Sequence, residues 1–192
     1  MLALQSLILL GASMVVAGSP HVVKRAPTSP FVLYAYGDGI GGAPIFTSGD
    51  RAYLGDSFRL NSSEAAPVQF TTGTDDALLG SPNSTTDSTS TPTWSNLTFL
   101  IPGPTSSSHD VGFTNSTPGS DMSASGFIFY GQFLLHQNTD GSLKSMWYAL
   151  PTGTDRVWTL GWNSTGDDTE GKVTLTLKAT APSIKTDLDE SA

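Results

Sequence analysis

The chain has 192 residues, 17 acidic side chains against 9 basic ones, and no cysteine. A formal charge of −8 disfavours nucleic acid and anionic membrane surfaces, which attract lysine and arginine. Without cysteine there is no disulfide framework, no thiol catalysis and no thiolate metal site.

Residues 1–18, "MLALQSLILLGASMVVAG", are apolar and uncharged. Gly11, Ser13 and Gly18 break the run, which therefore reads as a secretory signal peptide rather than a membrane span, with Val15 and Ala17 as the small residues before the cut. Residues 19–25 form a short pro-segment ending in the dibasic pair Lys24-Arg25, so that the mature chain starts at Ala26. That cut discards His21, and with it the amino-terminal histidine that a copper-dependent polysaccharide oxygenase would need. The protein is expected to be released and extracellular, with residues 26–182 as one domain, a flexible Ser/Thr-rich loop over 81–93 and a polar tail over 183–192.

Within the domain, Gly, Pro and Ser/Thr runs recur roughly every ten residues between short β-branched and aromatic segments. The spacing predicts an all-β fold: an antiparallel sandwich, jelly-roll-like, or a barrel, of roughly 8–10 strands. "PFVLYAYG" is the first strand. The glycines that follow, Gly37-x-Gly39-x-x-Gly42, have dinucleotide-loop spacing, but Pro44 comes where that chemistry requires a helix. They read instead as a turn or bulge between two strands, with at least one glycine at positive φ. "PIFTS" and "RAYLG" flank Gly49-Asp50 as a hairpin, and "PVQFTT" is another strand. In "WSNLTFLI", Leu97, Phe99 and Ile101 are expected to face the core. A short strand is expected around Val111–Phe113. "GFIFYGQFLLH" and "SLKSMWYALP" are expected to form a hairpin across Asp140-Gly141, and "RVWTLGW" and "KVTLTLKAT" a second one across "NSTGDDTEG". No window shows a helical period; a single turn of helix near Asp75–Leu79 is the most expected.

Five Asn-x-Ser/Thr sequons, at Asn61, Asn83, Asn96, Asn115 and Asn163, are candidate N-glycosylation sites and should therefore lie at the surface. No catalytic residue, cofactor or metal ligand is expected. His109 and His136 read as solvated or hydrogen-bonded surface histidines, and no Gly-x-Ser-x-Gly elbow accompanies them. Asp50, Asp140, Asp167 and Asp168 sit in turns, where aspartate stabilises the turn itself rather than forming the carboxylate pair of a glycosidase. "STGDDTEG" lacks the ligand spacing of a calcium loop. Trp94, Trp147, Trp158 and Trp162 are candidates for stacking on sugar rings, but Trp158, Leu160 and Trp162 share one strand face and suit a core better than a platform.

The strings "FVLYAYGDGIGG", "AYLGD", "GFIFYGQF" and "WYALPTGTDRVWTLGWN" resemble a group of small secreted proteins of filamentous ascomycete fungi. The resemblance covers most of the domain and implies a fungal extracellular or wall-associated protein, without supplying catalytic residues. The expected function is non-catalytic binding at the cell surface, to cell-wall polysaccharide or to another extracellular protein, with no nucleic-acid or membrane partner. The alternative is a carbohydrate-binding module or a glycan-active enzyme.

Overall fold

The computed structural model describes residues 27–83, 91–163 and 165–183. The expected signal segment, Lys24, Arg25, the middle of the Ser/Thr-rich loop and the tail after Ser183 lie outside the described residues. Among the described residues, strands account for 47% and helix for 4%, the latter as two 3-10 turns at Ser57–Arg59 and Thr74–Asp76. The all-β expectation holds, and the sheet closes into a barrel.

Six antiparallel strands form that barrel. They are β1 (Tyr34–Gly37), β2 (Ile40–Thr47), β3 (Ala52–Gly55), β12 (Trp147–Pro151), β13 (Val157–Trp162) and β14 (Val173–Lys178). Around the ring β1 pairs with β2, β2 with β3, β3 with β13, β13 with β12, β12 with β14, and β14 returns to β1. Closure leaves no open edge within the ring. A second sheet grows from β2: β4 (Ala66–Thr72), β5 (Leu78–Pro82), β6 (Leu97–Pro102) and β7 (Gly112–Thr114), with β8 (Met122–Ser123) on the far half of β6. The remaining strands, β9 (Phe127–Tyr130), β10 (Phe133–Gln137) and β11 (Leu143–Lys144), join β14 where Phe133 pairs with Lys178.

The local reasons are those of the sequence pattern. In β14, Leu175 and Leu177 are buried while Thr174 is exposed, the period-2 alternation of a half-buried strand. In β6, Leu97, Phe99 and Ile101 enter the core. The β2–β3 hairpin forms as expected, with Thr47 opposite Ala52. The glycine stretch joins β1 to β2 through a turn at Asp38-Gly39 and a bulge between Ala35 and Tyr36, with Gly39 at φ +68° and Gly42 at +95°. No helix follows it.

Three expectations are corrected. The "RVWTLGW" and "KVTLTLKAT" strands, β13 and β14, are not a hairpin, because β12 lies between them. The short link after Pro151 lets β12 fold back on β13, and the longer segment after Trp162 then carries the chain across to the other side of β12. The run "GFIFYGQFLLH" is two strands, since Gly131 at φ +60° turns the chain back after Tyr130. The Asp140-Gly141 turn therefore joins β10 only to the two-residue β11, not to β12. Finally, Ser81 and Pro82 belong to β5 rather than to the loop.

One aromatic column runs through the core. Phe70, Phe99, Phe113 and Phe127 pack ring on ring, Phe99 meets Trp147, and Trp147 meets Trp162 edge-on at 4.5 Å between centroids. His136 ends the column.

Candidate ligand-binding cleft

The column ends at a cleft of about 620 Å³, bounded by the segments after β6 and β8, the β10–β11 turn and the end of β13. Its volume lies within the usual range for small-ligand pockets, roughly 300–1,000 Å³. Ser123 reaches it from β8, which is aligned by pairing with Ile101 and Pro102 of β6. His136 reaches it from β10, and Trp162 with Met146 supplies the apolar part of the wall.

The His136 ring is held from two sides, with Phe127 at 5.8 Å and Trp162 at 5.7 Å, both edge-on. Its Nε2 lies 3.1 Å from the Ser123 hydroxyl oxygen. Its Nδ1 is buried and has no hydrogen-bond partner. This asymmetry assigns the proton. A buried lone pair left unpaired is tolerated better than a buried N–H left unpaired, so we place hydrogen on Nε2. The ring then donates to Ser123, and Ser123 donates to the Ser125 carbonyl, 3.4 Å away. Burial lowers the histidine's pKa, while the Asn138 side chain and the Ser125 carbonyl favour the protonated ring and oppose the shift. His136 is thus held in place and only 9% exposed; it is hydrogen-bonded, as expected from the sequence, but not at the surface.

A serine nucleophile needs the opposite tautomer, with Nε2 accepting and Nδ1–H held by a third group. Asp140 is the one carboxylate among the described residues that line the cleft, so the paired acids of a glycosidase are not assembled there. Among the described residues, no group of three or more histidine or acidic side chains is placed to hold a metal.

The tryptophans are not a sugar platform. Trp94, Trp147 and Trp162 are buried, and Trp158 is half-buried against the main core. Two of the indole N–H groups are used internally: Trp147 donates to the Leu134 carbonyl at 3.1 Å and Trp94 to the Glu64 carbonyl at 2.7 Å. Core packing takes them because each removes a large apolar area from water. The exposed large aromatics are Phe58, Tyr130 and Phe133.

Of the sequon asparagines, Asn61, Asn96 and Asn115 are exposed, and Asn83 and Asn163 are half-buried. Asn163 lines the cleft itself. His109 donates from Nδ1–H to the Trp162 carbonyl, 3.2 Å away, and Asp110 pairs with Arg51.

Asp167, expected as a turn residue, proves to be a buried anchor for the segment that crosses β12. It accepts from the Thr169 backbone N–H at 2.8 Å and hydroxyl at 2.6 Å, and from the Tyr148 hydroxyl. The Thr169 and Tyr148 bonds hold its pKa at about 2, against an ordinary 3.8. Burial and the Asp167 bond push the Tyr148 phenol up. A depressed carboxylate stabilises the fold above the unfolded pKa and loses that contribution as pH falls through the folded one. The shift corresponds to about 2 kcal/mol. The advantage of wild type over Asp167→Asn in thermal unfolding is expected to be full above about pH 5, to fall as pH drops through the folded pKa, and to be gone by about pH 1. An advantage unchanged across that window would show that the ionised carboxylate is not what stabilises the anchor.

Compared with known proteins, the chain matches no family model, no curated protein and no solved structure.

Proposed function

We propose that this chain is a secreted, N-glycosylated, non-catalytic binding protein, wall-associated or effector-like, of the cell surface or the extracellular medium. Its binding element is the cleft beside Ser123 and His136. The observation that carries the reading is the cleft's hydrogen-bonding state. It presents hydroxyl groups, with that of Ser123 held by an immobilised His136, but no activated nucleophile. The apolar amino-terminal segment, the Lys24-Arg25 pair and the exposure of Asn61, Asn96 and Asn115 support secretion and glycosylation. The resemblance to secreted fungal proteins supports the same setting.

Expression of the full chain in a secreting filamentous fungus tests this. The protein should appear in the medium or wall fraction with its amino terminus at Ala26, and endoglycosidase should lower its apparent mass. A chain retained inside the cell overturns secretion. A start at Gly18 or Ser19 overturns dibasic processing, and an unchanged mass overturns N-glycosylation.

A further inference from the structure

We propose that the cleft binds the end of a neutral oligosaccharide, recognised by hydroxyl and amide groups rather than by stacking on exposed tryptophan. This rests on the reading of the cleft as the binding site.

The argument starts from what lines it. Ser106, Ser123, Ser125 and Asn138 provide groups that donate and accept, which is what a ring of sugar hydroxyls requires of its partner. His136, fixed between two aromatic rings, holds the Ser123 hydroxyl in place through Nε2. Met146, half-buried at the cleft, supplies an apolar surface for the C–H face of a sugar ring. No lysine or arginine is among the described lining residues, while Asp140 stands at the cleft and Asp121 lies behind Ser106, 3.2 Å from its hydroxyl. An anionic ligand would meet negative charge with no cation to offset it. Phosphates and uronic acids are therefore disfavoured, and a neutral polyol is left.

The groups are also preorganised. Asn138 Nδ2 donates to Ser142 at 3.1 Å, and Ser142 in turn donates to Asp140. The amide is thus oriented by its own turn before a ligand arrives, which lowers the ordering cost of binding.

The test uses the full secreted chain and ligand-observed NMR with cellotriose, laminaritriose, chitotriose, mannotriose and, as the anionic comparison, trigalacturonate. At least one neutral trisaccharide is expected to bind. Ser123→Ala and Asn138→Ala, each checked for folding by circular dichroism, are expected to weaken that binding about tenfold. Trigalacturonate is expected to bind at least about tenfold more weakly than the best neutral trisaccharide. Binding unchanged in both variants, or trigalacturonate binding as well as the neutral sugars, overturns the proposal. A parallel thermal-shift screen with a non-sugar fragment set separates the two ways of failing. A fragment that stabilises wild type but not His136→Gln, with no neutral trisaccharide bound, overturns the saccharide class and leaves the binding reading standing. No stabilisation by anything overturns both.

Discussion

Replacing Trp147 with alanine is expected to destabilise the protein by about 3–5 kcal/mol, measured by urea denaturation. The side chain is 0% exposed, packs against Phe99 and Trp162, and donates from Nε1 to the Leu134 carbonyl. Alanine removes the ring, leaves a cavity at the junction of the barrel and the β9–β10 hairpin, and strands a buried acceptor. For a domain with a total stability of about 5–15 kcal/mol, that is a fifth of it or more. Trp147→Phe separates the two contributions. It retains most of the volume and loses the hydrogen bond, so it should fall between wild type and alanine. Because Trp162 rests on Trp147, the alanine variant should also loosen the cleft wall. A loss under about 1 kcal/mol would show that the column is not the core it is taken for.

Gly161→Ala is expected to cost about 3 kcal/mol, the upper part of the usual range for overpacking. A Cβ at this position would lie 2.3–2.6 Å from three ring atoms of Tyr148, the residue opposite it on β12. The ring cannot retreat. It is 1% exposed, and its hydroxyl is bonded to Asp167. In a Tyr148→Ala background the sign should reverse. An alanine at 161 is then free of the ring, and alanine in a strand interior is favoured over glycine by roughly 0.5–1 kcal/mol. A double-mutant cycle reads this coupling directly. If Gly161→Ala costs the same in both backgrounds, the close contact with Tyr148 is not the cause.

What was legible in the sequence was what neighbouring residues decide. Pro44 ruled out a helix after the glycines, and the alternation in β6 and β14 named the residues that enter the core. Asp50 marked a hairpin that formed. The order of strands around the barrel is another matter, since no residue of β13 or β14 records that β12 will come between them. That placement follows from relative loop lengths and from the anchor at Asp167, a partner choice made across the fold. The cleft falls in the same class, because Ser123 and His136 meet only when β8 and β10 have been placed. One signal was nevertheless present. In Phe133–Gln137, Leu134 and His136 share a strand face, and a histidine two residues from a buried leucine in a strand is a candidate for burial. The same period placed Trp158, Leu160 and Trp162 on the inner side.

The ring of strands is shut by its first and last members. Tyr36 on β1 donates to the carbonyl of Thr180, 144 residues away, just beyond β14. A chain emerging amino terminus first therefore cannot complete its barrel until almost all of it is available. Until then β1 and β12 each lack a neighbour, and those unpaired edges are the ones most open to pairing with another chain. The delay also sets what co-translational chemistry meets. Asn163, half-buried in the finished protein and carried between β13 and β14, lies in chain that emerges before the ring can close. Its final burial is therefore no barrier to modification, and a sugar added there would already stand at the cleft wall when the ring closes.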